Sequence, residues 1–205
     1  PSMEPDQWRA DIEACRRQLA PVKILNVSVV GTVQPDWTMN ELAADYARCA
    51  KWAIESGADS VEANLSCPNV STCDGQLYQQ PSDTRIVAEA IRGEIGSVPL
   101  ILKVGHVVDK DLAAELLAAT SGSATALAMT NSIAGRVRTT DGKQLFGGQR
   151  RGICGQATRR ASIDQVATFD RMIRDSGGGM RLIGVGGASS AEHIAAYLAS
   201  GAECV

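Results

Sequence analysis

Short apolar, β-branched runs alternate along this chain with longer stretches whose apolar positions recur at three- and four-residue steps. The pattern predicts a helix over 8–19 and a strand over 23–30 (KILNVSVV) that ends at Gly31-Thr32. A helix over 39–56 follows, with Leu42, Tyr46, Cys49, Ala50 and Ala53 on one face and Gly57 closing it. Further strands are predicted over 59–65, 99–104 (PLILKV), 126–130 (ALAMT) and 182–185 (LIGV), and a sixth begins at Glu203. Helices are predicted between them, from Pro81 to about Ile95, over 109–119, over 162–175 and over 190–200.

Strands read as apolar throughout, each followed by a helix, imply a parallel sheet covered by helices. Two architectures fit: a (β/α)8 barrel and an open doubly wound sheet. Polar residues stand at the C-terminal ends of successive strands: Asn64 and Cys67, then Lys103, then Asn131, then Gly186-Gly187. No GxGxxG follows the first strand. Both features favour the α/β barrel of the TIM type. Six strands do not close an eight-stranded barrel, so the expectation is a section of one, incomplete at both ends. The Gly- and Arg-rich stretch from 132 to 156 is too long for an ordinary barrel loop and reads as a hairpin over the site.

Composition narrows the function classes without naming one. The 205 residues carry 20 basic and 23 acidic side chains and no run of like charge, which gives no footprint for nucleic acid. No apolar stretch is long enough to span a membrane and the first twenty residues lack a signal-peptide pattern, so the expected location is the cytoplasm. The six cysteines are irregularly spaced, without a CxxC pair, and only two histidines are present. They are read as free, mostly buried thiols, with no metal site.

Four stretches carry candidate chemistry. In ANLSCPN (residues 63–69) a thiol, Cys67, lies between the amides of Asn64 and Asn69 at a strand tip. Cys67 reads as a nucleophile, a proton shuttle or a small core side chain; a nucleophile needs an adjacent base, and no histidine is close in sequence. Lys103 lies within an apolar strand, where an ammonium needs a partner; it reads either as stabilising developing negative charge or as reaching to the barrel rim. Asn131-Ser132 can pair with a planar heterocycle, or form an ordinary turn. Gly186-Gly187, opening a helix capped by Ser189 or Ser190, can bring backbone N–H groups to a phosphate, and the turn at Gly155 can reach the same group.

Taken in order, ANLSCPNV, PLILKVG, TNSIAG, RGICGQA and LIGVGGASSAEHIAAYLASGAECV resemble the class 1 dihydroorotate dehydrogenases, with dihydropyrimidine dehydrogenase barrels as near relatives. The resemblance implies one FMN-binding barrel domain over 1–205 that oxidises dihydroorotate to orotate in pyrimidine biosynthesis. It implies Cys67 as the base for the C5 proton while a hydride leaves C6 for flavin N5. It implies Asn64, Asn69, Asn131 and Ser132 around the pyrimidine and flavin edge, Lys103 near flavin N1 and O2, and Gly152, Gly155, Gly186 and Gly187 around the FMN phosphate. A dihydropyrimidine substrate, a homodimer and a separate electron-transfer subunit are the implied partners. A flavin barrel reducing uracil-type rings, and a barrel section with no activity of its own, are the competing expectations.

Overall fold

The computed structural model describes residues 3–67 and 76–205. Its order of elements is α1 (Pro5–Gln18), β1 (Asn26–Val29), α2 (Met39–Glu55), β2 (Ser60–Asn64), α3 (Pro81–Ile95), β3 (Leu100–Lys103), α4 (Lys110–Thr120), β4 (Ala126–Met129), β5 (Ile133–Arg136), β6 (Arg150–Ile153), α5 (Arg159–Ser176), β7 (Arg181–Gly184) and α6 (Ala191–Ala199). Two compact units share these elements: Pro1–Lys103 with Ala114–Ala126, and Val104–Ala113 with Leu127–Val205.

In the first unit β1, β2 and β3 pair in parallel, with Val27 opposite Val61 and Ala63 opposite Leu102. Helices α2 and α3 cover one face of this sheet. Their seam holds Tyr46, Ala50, Val87 and Ile91, fully buried with Val61, Ala63, Leu100 and Leu102 of the strands. Each of the larger aliphatic side chains contributes about 1.5–3 kcal/mol by leaving water. The start of α2 is set locally. Thr38 and Glu41 form a reciprocal capping box, and the hydrogen bonds it makes hold the Glu41 carboxyl below its ordinary pKa. Gly31 has no side chain for a packing reason: a Cβ there would lie 2.6 Å from the Tyr46 ring.

Strands that are apolar throughout were expected, and β1 and β2 correct that expectation. Asn26 and Ser28, and Ser60, Glu62 and Asn64, alternate with the apolar residues and form a polar second face. An expectation of mostly buried thiols is corrected as well. Cys15, Cys154 and Cys204 are exposed and Cys49 and Cys67 are half-buried; Cys73 lies outside the described residues.

In the second unit β4 lies beside β7. Val185 donates to the Met129 carbonyl at 2.7 Å and Thr130 donates to the Val185 carbonyl at 3.0 Å. Helix α5 packs beneath them through Val166, Phe169 and Ile173 and ends at Gly177, whose φ of 66° is the left-handed conformation that a C-terminal glycine adopts readily. The stretch expected to form a hairpin is one: β5 and β6 are antiparallel, with Ile133 opposite Ile153. Where a sixth parallel strand was expected, Ile183 and Cys204 form a single parallel bridge. Among the described residues no helix is long and apolar enough to cross a membrane.

Candidate functional site

Three of the expected residues come together in the first unit. Asn64 and Lys103 are direct register partners at the C-terminal ends of β2 and β3. Cys67 follows at the β2 tip, half-buried. The tip is held by backbone and amide bonds together. Leu65 N–H donates to the Lys103 carbonyl at 3.0 Å, and Asn64 Oδ1 accepts from Ser66 N at 3.2 Å and from Ser66 Oγ at 3.0 Å. This turn occupies the carbonyl end of the Asn64 amide and leaves its NH2 free of that turn. From below, the Tyr46 hydroxyl donates to the Asn64 backbone carbonyl at 2.9 Å, and burial pushes the Tyr46 phenol well above its ordinary pKa. Asn69 falls outside the described residues.

Lys103 has the partner that a lysine in such a strand requires. Its Nζ lies 3.2 Å from Glu62 Oε1, with both side chains four-fifths or more removed from solvent. The same oxygen accepts from Ser28 Oγ at 2.8 Å. Neither Glu62 nor Ser28 is among the residues singled out from the sequence. The signal for Glu62 is its place two residues before Asn64 on an alternating strand.

In the second unit the remaining residues fall into two groups. At the hairpin base, Ser132, Gly152 and Asn131 are neighbours. A Cβ at Gly152 would lie 3.2 Å from Ser132 Oγ, and the Cys154 thiol points at the Asn131 carbonyl, 3.9 Å away. At the β7 tip, Gly186 and Gly187 pack on the turn that begins at Gly155. A Cβ on Gly187 would lie 2.6 Å from both Gln156 Cα and the Gly155 carbonyl oxygen. The φ angles of Gly155, Gly186 and Gly187 are 73°, 130° and 64°, all in the range that side chains disfavour. Within this unit, among the described residues, the N–H groups of Gly186, Gly187 and Ala188 find no backbone or side-chain acceptor. Successive free N–H groups ahead of a helix make an anion-binding concavity. Ser190 is the cap of α6, and Arg159 places a guanidinium 3.2 Å from the Gly187 carbonyl and 3.3 Å from His193 Nδ1.

Two buried side chains of α5 that sequence reasoning missed fix these strand tips. Ser162 Oγ lies 3.0 Å from the Met129 carbonyl and 2.7 Å from that of Val185. Gln165 Oε1 accepts from Val107 N at 3.0 Å and Thr130 Oγ1 at 3.2 Å, while its NH2 donates to the Gly105 carbonyl at 3.0 Å. From α6, the Tyr197 hydroxyl donates to the Gly186 carbonyl at 2.8 Å. Their sequence signal is faint, because a Ser or Gln on an amphipathic helix ordinarily faces water.

Comparison with known proteins bears on the fold and the family. The crystal structure of DHODH from Eimeria tenella in complex with ferulenol superposes with a TM-score of 0.79 at 17% identity, over 100% of this chain and 58% of that one. That likeness gives the fold, part of a (β/α)8 barrel, as expected from the sequence. A protein named dihydroorotate dehydrogenase from Dictyostelium discoideum is 31% identical over 99% of this chain and 56% of its own length. The catalytic subunit of dihydroorotate dehydrogenase B (NAD(+)) from Maridesulfovibrio salexigens is 30% identical over 75% of this chain and 48% of its own. Dihydroorotate dehydrogenase A (fumarate) from Lactobacillus delbrueckii subsp. bulgaricus is 26% identical over 78% and 51%. The chain thus spans about half the length of the curated relatives it matches. The family profile described as dihydroorotate dehydrogenase matches residues 6–205, nearly the whole chain, and on that match this protein belongs to the dihydroorotate dehydrogenase family.

Proposed function

We propose that the protein acts in the FMN-dependent oxidation of dihydroorotate to orotate, a step of pyrimidine biosynthesis in the cytoplasm. The observation that carries this reading is the juxtaposition of Asn64 and Lys103 as register partners, with Cys67 at the tip of the same strand. Each unit by itself carries groups that suit FMN. In the second, the N–H groups of Gly186 and Gly187, which meet no acceptor among the described residues of that unit, suit a phosphate, with Gly155 beside them; in the first, the Lys103 ammonium suits an electron-rich ring edge. When bound, FMN supplies a two-electron acceptor for the hydride leaving C6 of dihydroorotate.

The chain's own residues do the rest. The Cys67 sulfur acts as the base that takes the C5 proton, so that a carbon–carbon double bond forms as the hydride departs. Asn64, Asn69, Asn131 and Ser132 orient the pyrimidine through paired donors and acceptors, which fixes C5 toward the sulfur. Lys103 balances negative charge as it develops, and Gly152 joins Gly155, Gly186 and Gly187 as the glycines around the FMN phosphate. The proposed partners are dihydroorotate, a second copy of the chain and a separate electron-transfer subunit.

The test is anaerobic spectroscopy of the purified protein reconstituted with FMN. Dihydroorotate should bleach the flavin absorbance, and Cys67→Ala should slow that bleaching by about a hundredfold or more while FMN stays bound. A protein that takes up no FMN, or one bleached by a nicotinamide cofactor and not by dihydroorotate, overturns the reading. Loss of FMN in Cys67→Ala would make the thiol structural.

A further inference from the structure

The polar face of β1, β2 and β3 has one carboxylate at its centre. Ser28 is directly opposite Glu62 in the β1–β2 register. Lys103 is opposite Asn64, two residues on from the Ile101–Glu62 pair, and so shares the Glu62 face diagonally. A single atom, Glu62 Oε1, takes both contacts, from Ser28 Oγ at 2.8 Å and Lys103 Nζ at 3.2 Å. As a pure sheet staple this is a poor choice. Desolvating two charges offsets most of their attraction, and a well-packed apolar pair would hold three strands at least as well. What the pair does supply is a fixed ammonium at the strand end, with a defined residual charge.

We propose that Glu62 is a positioning residue for Lys103: anchored by Ser28, its carboxylate holds the ammonium in place and sets how much positive charge reaches the flavin. The inference rests on the reading in which Lys103 faces FMN. An unpaired ammonium near the flavin ring would favour the reduced, more negative form strongly. A carboxylate directly behind it cancels part of that field, which keeps the cofactor able to pass its electrons on.

The experiment is an anaerobic redox titration of the FMN-loaded protein against dyes of known potential, with the FMN dissociation constant measured alongside. Wild type, Glu62→Gln, Lys103→Met and the double variant are compared. Glu62→Gln keeps the shape and an acceptor oxygen and removes the charge. It should favour reduced over oxidised flavin about tenfold, a rise of about 30 mV for a two-electron couple. The rise should be smaller in the Lys103→Met background, where the carboxylate's own field remains but the ammonium it holds in place is gone. A merely structural Glu62 would weaken FMN binding or stability and leave the potential where it was.

Three results overturn the inference, and they are distinguishable. A wild type that takes up no FMN defeats the functional reading and the inference with it. An unchanged potential in Lys103→Met removes Lys103 from the flavin, again defeating both. A shift in Lys103→Met with none in Glu62→Gln leaves the functional reading standing and defeats the role of Glu62. Should Glu62→Gln not fold, Glu62→Asp withdraws the carboxylate by one methylene and should move the potential the same way by less; an unmoved potential there is equally fatal.

Discussion

On the face of β1–β3 a carboxylate and an ammonium hold each other, with a serine hydroxyl as the third member. Past β4 and β7 the strand tips are held mainly by neutral groups, with the Arg159 guanidinium added at the Gly187 carbonyl: the hydroxyls of Ser162 and Tyr197, the amide of Gln165, and glycines packed backbone to backbone. The first arrangement delivers charge at a chosen point and tolerates partial exposure. The second fixes backbone N–H groups in space and is dry, with Ser162 fully buried and Gln165 at 4% exposure. Charge is used where the proposed chemistry needs a field, and neutral bonding where it needs a rigid cradle.

The sharpest way to break this contrast is Gly187→Ala. The added Cβ would sit 2.6 Å from backbone atoms of Gln156 and Gly155, at a φ of 64°. Backbone does not yield as a side-chain tip does, so a loss of about 3 kcal/mol or more is expected, roughly 10 °C in melting temperature, with FMN uptake impaired. Thermal unfolding checks it, and a melting point within a degree of wild type would show the cradle to be soft.

Gln165→Leu should follow in size. It strands the Val107 N–H, the Thr130 hydroxyl and the Gly105 carbonyl in a buried setting, for a loss of about 2–4 kcal/mol. Because no charge is involved, the loss measured in urea should be the same at low and high salt. A loss that shrinks in salt would contradict the neutral account.

The smallest effect belongs to Cys49, on α2 of the first unit. Burial pushes its thiol up to about 11 from an ordinary value near 9, with Asp45 adding to the shift. The fold holds the thiol neutral while the unfolded chain ionises, so the unfolded state binds fewer protons across that window. Stability should therefore fall as pH rises from about 9 to 11, and Cys49→Ala should flatten the fall. Given its partial exposure, about 1 kcal/mol at most is at stake, readable from urea midpoints at the two pH values.

Much of the architecture is legible in the chain. The helix periodicity locates α2 and α3 to within a residue or two, and five strand positions coincide with observed strands. The Gly- and Arg-rich stretch is the β5–β6 hairpin, and Asn64, Cys67 and Lys103 stand at strand ends as read. The partners of those residues were not legible. A lysine in a strand announces that it needs a counter-charge, but Glu62 becomes that partner only through the offset between β2 and β3. Ser162, Gln165 and Tyr197 look like ordinary helix polar residues until the packing turns them inward.

What the sequence determined by itself was therefore local: period, caps, turns and the short motifs at strand tips, all governed by residues within a few positions of one another. The tertiary structure decided register and burial. Register set Asn64 opposite Lys103 and Glu62 diagonal to it; burial turned one amide and two hydroxyls into the supports of a glycine cradle. Both depend on contacts between residues far apart in the chain, and no local pattern encodes the offset at which two strands pair.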